Sequence, residues 1–350
     1  MKNLLLVLLL TSISDVTAQS VTISSESAPV EYYRMPDYPL PKEYATYSSN
    51  LDMSFTELAK SGFTESYLID TYLDLEGYKQ VNKNPDVEIT ATVGEFIVWS
   101  EFRNTNKSKT KDKNGVEQVR YTYSMTVKYS LPMGIQVFNR EGTTLIDKYV
   151  FTMSDTRSWT SSTYSSMSDL DSYWRIQRKT KLSDLQKDLM KEGMNTISDM
   201  INRNYGYQLI NDKIKFAAIG KKSHPDYDRF QKNAEIMVAA FQLMDADKSL
   251  DAVKDKAQPA LEFYATSAQK YSTGNKDQKK LKHICLYNQA LAYCWLEDFD
   301  QAETLAKSIQ KFDTKNKDVK RLLEDIEYTK ASLVNADRPS RHQVVVGQKT

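Results

Sequence analysis

The pattern of the chain changes at Pro225, and that change limits the folds open to it. Upstream, Val87, Ile89, Ala91 and Val93 alternate with Glu88, Thr90 and Thr92. A period of two is that of a half-buried strand. Downstream, β-branched alternation stops and alanine at helical spacing takes over. Helices are expected near 226–245, 248–272, 276–297, 299–312 and 316–334, joined by short polar turns that make neighbours antiparallel. Strands followed by helices predict an α+β class: a mixed, largely antiparallel sheet with helices on one face, then an all-α unit.

Within the first half, Pro36, Pro39 and Pro41 forbid helix and extend the backbone into residues 44–51. A helix is expected over 63–75, closed by Gly77, and a strand from 87 towards 102. Residues 104–118 read as a polar, lysine-rich hairpin loop around Asn114-Gly115, with Lys107 to Lys113 as a solvated charge run. Strands follow at 119–129, 134–139 and 144–151, then a Ser/Thr/Tyr-rich connection at 152–171. A helix over 182–205 places Leu185, Leu189, Met194, Ile197 and Ile201 on one face. Residues 213–219 are either a last strand or a connector. The boundaries that result are a signal segment at 1–18, an extended linker at 19–41, an α+β domain at 42–220, a helical domain at 225–335 and a disordered tail at 336–350.

The signal segment rests on Lys2, the unbroken apolar run of residues 4–10, and small residues Val16 and Ala18 before a cleavage point. That run is shorter than the roughly 20 residues a spanning helix needs. No cysteine stands near the cleavage point for a lipid anchor, so the chain is expected to be exported, periplasmic or outer-membrane-associated, and not membrane-spanning. With 47 Lys plus Arg against 46 Asp plus Glu, no global field favours nucleic acid, and none is expected as a partner. Cys285 and Cys294 fall nine residues apart in one helical stretch, on opposite faces and about 13 Å apart along the axis, too far to pair within it.

Residues 286–313 carry Leu286, Ala290 and Tyr293, then the turn Asp298-Phe299-Asp300 and Ala302. This resembles one unit of a tetratricopeptide repeat, in which small residues let two helices cross closely and aromatics fill the groove between them. Ala306 stands where an aromatic is usual, and Thr314 where proline ends the unit. Leu75-Glu76-Gly77-Tyr78, then Asn84-Pro85-Asp86-Val87 and an alternating strand, are similar to a family of small bacterial envelope domains of unknown function. With the signal and the 22 tyrosines, the whole resembles exported envelope proteins of Bacteroidota.

No motif for catalysis, a cofactor or a metal emerges. Among His224, His283 and His342 none stands in a nucleophile motif, and glycine fingerprints for phosphate are absent. Residues 244–249 begin like a calcium loop but lack its glycine and glutamate, so a helix-connecting turn is expected. The resemblance implies a non-catalytic role, binding a protein partner in the cell envelope through Tyr287, Tyr293, Trp295 and Phe299. The alternative is a glycan or peptidoglycan site built from Trp159, Tyr164, Tyr173 and Trp174, aromatics on a polar connection suited to stacking on sugars.

Overall fold

The computed structural model describes residues 21–111 and 113–344; the expected signal segment and residues 345–350 lie outside them. The chain forms two units: residues 33–209 with 335–337, and residues 21–32, 210–334 and 338–343.

The first unit is built on a five-stranded sheet of order β3-β2-β4-β7-β8. Its strands are β2 (Thr46–Met53), β3 (Lys79–Gln80), β4 (Val87–Val93), β7 (Met133–Asn139) and β8 (Thr144–Phe151). Strands β2 and β4 are parallel, joined through α1 (Phe55–Ser61) and α2 (Glu65–Tyr72), whereas β7 runs antiparallel to both β4 and β8. Asp86 fixes the entry to β4, its Oδ2 accepting from the Ala45 and Thr46 amides at 2.9 and 3.0 Å. The alternation in β4 is realised: Val87, Ile89, Ala91 and Val93 are buried.

A second sheet, β5-β6-β9, holds β5 (Ile97–Lys111), β6 (Glu117–Ser130) and β9 (Arg157–Thr160). Helix α3 (Met167–Asn204) spans 38 residues, about 57 Å, and serves both sheets. Its C-terminal half packs Leu189, Met190, Met194, Ile197 and Ile201 into the core of the five-stranded sheet, while Leu170, Trp174 and Leu185 pack with Met125 and Val127 of β6. Gly193 permits the first contact, since a Cβ there would lie 2.3 Å from Met133 Sδ.

The second unit pairs β1 (Ile23–Arg34) with β10 (Gln208–Ile219) and adds α4 (Tyr227–Phe241), α5 (Asp251–Lys270), α6 (Lys276–Trp295), α7 (Phe299–Gln310) and α8 (Lys317–Asn335). Val30, Phe216 and Ile219 share one core with Phe230, Phe241, Tyr264 and Ile284. Asn288, fully buried, ties α6 to β10: its Oδ1 accepts from the Ala217 amide at 2.9 Å and its Nδ2 donates to the Ala217 carbonyl at 2.8 Å.

The α+β class and the five C-terminal helices stand as expected; the boundaries do not. The expected linker at 19–41 contains strand β1, and residues 210–219 join the helical unit in place of the α+β domain, because a two-stranded ribbon needs another apolar layer to cover it. Residues 336–344, expected as a disordered tail, are ordered. Helix α2 ends at Tyr72, and Gly77, at φ 89°, belongs to the turn after it. The lysine-rich loop is strand as far as Lys111, and α3 begins fifteen residues before 182.

Candidate functional site

The crossing of α6 and α7 is built from small residues. Ala290, Ala302 and Ala306 are fully buried with Cys294 and Ile309, and Val319, Leu322 and Ile326 of α8 complete the cluster. Tyr287, Tyr293 and Phe299 pack against this cluster as partly buried members. Tyr287 stacks on His283 with ring centroids 5.8 Å apart, and burial raises the hydroxyl pKa of both Tyr287 and Tyr293. These three side chains fill the space between helices.

Trp295 does something different. At the end of α6 its ring meets Tyr32 edge-on at 5.2 Å, and the Arg341 guanidinium lies 4.8 Å from its centroid and 5.0 Å from that of Tyr32. Glu297, in the left-handed region at φ 63°, turns its carboxylate inward. Its Oε1 accepts from the Arg341 backbone amide at 2.9 Å and from Nε at 3.2 Å. Only 9% of the Arg341 side chain and 8% of that of Glu297 are exposed, so the pair stands outside bulk solvent. Cation–π attraction in such a place reaches about 2 kcal/mol, against about 0.5–1 at an exposed site.

The neighbouring residues extend the contact. The Gln343 amide donates to the Ala246 carbonyl at 2.7 Å, and His342 Nδ1 lies 3.2 Å from the Asp245 carbonyl. His342 is buried, which lowers its imidazole pKa and favours the neutral ring. Residues 338–343 thus lie on the helical unit as an irregular strap with successive bends, held by an arginine in an aromatic and carboxylate cage. Of this cage only Trp295 was expected as a contact residue. Tyr32, Glu297 and Arg341 come from three distant places in the chain, and no local pattern marks them.

The loop aromatics fold inward. Trp159 stacks on Trp174 at 6.0 Å, Tyr164 meets Tyr173 at 5.2 Å, and all four pack beside Met125, Val127 and Leu170. Trp174 Nε1 donates to Glu101 Oε2 at 2.8 Å, and the Lys181 ammonium covers Trp159 at 4.9 Å. Strand β9 and an early start to α3 replace the open connection that the alternative site required, leaving no bare aromatic platform in this group.

The other candidates are structural. His224 Nδ1 accepts from the Asp226 amide at 3.1 Å, shaping the turn before α4. Asp245 accepts from the Asp247 amide and from Lys248, closing a helix-connecting turn. Cys285 and Cys294 are free and buried; burial raises both thiol pKa values, that of Cys294 to about 11, so neither is a ready thiolate. Among the described residues no group of three or more His, Cys, Asp and Glu could hold a metal, and no helix is long and apolar enough to cross a membrane. A groove of about 630 Å³ runs between α5, α6 and α7, lined in part by Leu286, Leu305, Phe312 and Lys282; Tyr287, Tyr293, Trp295 and Phe299 are not among its walls.

No family model matches the chain, and no curated protein is similar to it. A crystal structure of a PDZ domain protein from Parabacteroides distasonis ATCC 8503 aligns at 9% identity over 80% of this chain and 67% of that one, with a TM-score of 0.17. An overlap that poor carries no inference about fold or function.

Proposed function

We propose that this chain is a non-catalytic, exported protein of the cell envelope that holds a short protein segment on its helical unit. One observation carries the reading: the helical unit binds residues 338–343 as it would bind a peptide, through a buried ion pair, two ring faces and a backbone hydrogen bond. The partner is a protein segment presenting an arginine, which takes the place of Arg341 between Tyr32 and Trp295. Export rests on the N-terminal pattern of Lys2, the apolar run and Ala18, and an intact mass beginning at Gln19 is the expected product.

The binding reading is tested with the chain shortened after Asp337 and a synthetic peptide of residues 338–343. The shortened chain should bind the peptide, the full chain should not, and the peptide with Arg341→Ala should bind neither. A shortened chain that unfolds cooperatively yet ignores the peptide would remove the reading.

A further inference from the structure

The hairpin of β5 and β6 places a row of lysines on one face. Pairing sets Lys107 opposite Tyr121, Lys109 opposite Val119 and Lys111 opposite Glu117. Side chains two apart on a strand share a face and stand about 6.8 Å apart. Lys107, Lys109, Lys111, Glu117, Val119 and Tyr121 therefore lie on one side, and Ser108, Thr110, Arg120 and Gln118 on the other. At the base of the hairpin the lysine-bearing face continues through Tyr123, Met125 and Val127 and is covered by Leu170 and Trp174 of α3. Towards the tip Lys107, Lys109, Lys111 and Lys113 are all exposed, and none of the described residues of its unit covers them.

Charge and apolarity coincide there. From residue 103 to 122 six Lys and Arg face two acids in sequence, although the chain as a whole is nearly neutral. Among the lysines stand Val116, 59% exposed in the turn, Val119 at 45% and Tyr121 at 46%. Lys109 pairs with Glu117 at 2.5 Å and Arg103 with Asp171 at 2.8 Å, each pair neutralising one of the six cations.

We propose that the tip of this hairpin docks on an anionic lipid surface, with Lys107, Lys109, Lys111 and Lys113 meeting the headgroups and Val116, Val119 and Tyr121 entering the interface. Charge alone would suit any polyanion; the apolar groups choose between them. Lysines keep their ammonium groups at the polar boundary while their stems lie along apolar surface, and tyrosine settles at headgroup level. A dissolved polysaccharide or nucleic acid offers Val116 nothing to enter. Such strands are gripped by bare ring faces, and the ring of Tyr121 is attended by the Lys107 ammonium at 5.9 Å.

The experiment is flotation of the chain beginning at Val21, which keeps every element described and lacks the apolar leader that would partition by itself. Vesicles of phosphatidylcholine alone are compared with vesicles containing phosphatidylglycerol. The chain should float only with the anionic vesicles, and raising salt to about 1 M, where the Debye length is about 3 Å, should release most of it. Each lysine replaced by neutral glutamine should weaken binding about fivefold. Lys107→Glu, Lys109→Glu and Lys111→Glu together should abolish it while lowering thermal stability only slightly, since the Lys109 and Glu117 pair they break is exposed. The same reversal at exposed Lys317 and Lys320 of α8 should have little effect, and Val116→Asp should weaken binding and make what remains fully reversible by salt. Equal flotation with neutral vesicles, or a triple variant that floats normally, would overturn the proposal. Capture by dextran sulfate or single-stranded DNA without flotation would also overturn it, giving the face to a dissolved polyanion.

Discussion

Two places in the molecule combine a tryptophan, a glutamate and an arginine, and they differ in the water around them. In the first unit Trp174 donates to Glu101, which grips Arg178 at 2.6 Å with 21% of the glutamate and 52% of the arginine side chain exposed. In the helical unit Glu297 grips Arg341 beside Trp295 with both partners nearly buried. An exposed pair is screened and gains little over hydrated ions, whereas a buried pair whose partner is removed leaves a charge with no water to receive it. The same three residue types thus trim a surface in one unit and fasten a chain segment in the other.

Glu297→Ala should separate the two sites most. Removing one partner of a buried pair destabilises by about 3–5 kcal/mol. A strap that belongs to no helix or strand can lift away instead of staying in place uncompensated. Hydrogen exchange should therefore show the His342 and Gln343 amides losing protection while Asn288 stays anchored to β10. Protection unchanged at Gln343 would mean the ion pair does not hold the strap.

Next in size is the packing where α6 crosses α7. Ala290 and Ala302 are fully buried at the α6–α7 crossing, and Ala331 of α8 is exposed. Ala290→Leu or Ala302→Leu should lower stability by about 1–3 kcal/mol through overpacking, with Ala331→Leu nearly neutral because both residues favour helix. Equal urea midpoints for the three would mean that small residues are not what lets these helices approach.

Glu101→Ala should lower stability by only about 1 kcal/mol, since water can replace the carboxylate at a half-exposed pair. Chemical denaturation of this variant beside Glu297→Ala measures the difference directly, and equal losses would mean that burial does not separate the two pairs. The mildest perturbation is pH. His342 faces Asp245, Glu297 and Arg341, and burial holds its folded pKa below the ordinary imidazole value. The unfolded chain then binds the proton first, so the contribution of His342 is fully present above that ordinary value and fades as pH falls through it towards the folded one. Strap protection should weaken in that window, and His342→Gln should remove the dependence.

Local pattern decided a large part of the fold. The alternation in 87–93, the alanine spacing after Pro225, and the pair Ala290 and Ala302 each report a contact on the same element, where periods of 2 and 3.6 translate directly into faces. The inward turn of Trp159, Tyr164, Tyr173 and Trp174 was not legible, because a polar connection rich in aromatics is compatible with both an open loop and a strand folded under a helix. Nor was the strand character of Lys107 to Lys111, since lysine has little strand preference of its own and takes that form through pairing with β6.

The α+β class, the five C-terminal helices and the close crossing of α6 and α7 are written in local pattern, because each follows from neighbours within one or two turns of chain. Long-range packing places β1 with the helices, divides the four expected contact aromatics into three packing residues and one cage wall, and brings Arg341 in to close the cage. Those outcomes depend on groups about 260 to 310 residues apart, Tyr32 from Trp295 and Arg341. At such separations the deciding quantity is which surfaces lose their water together, and no periodicity along the chain records it.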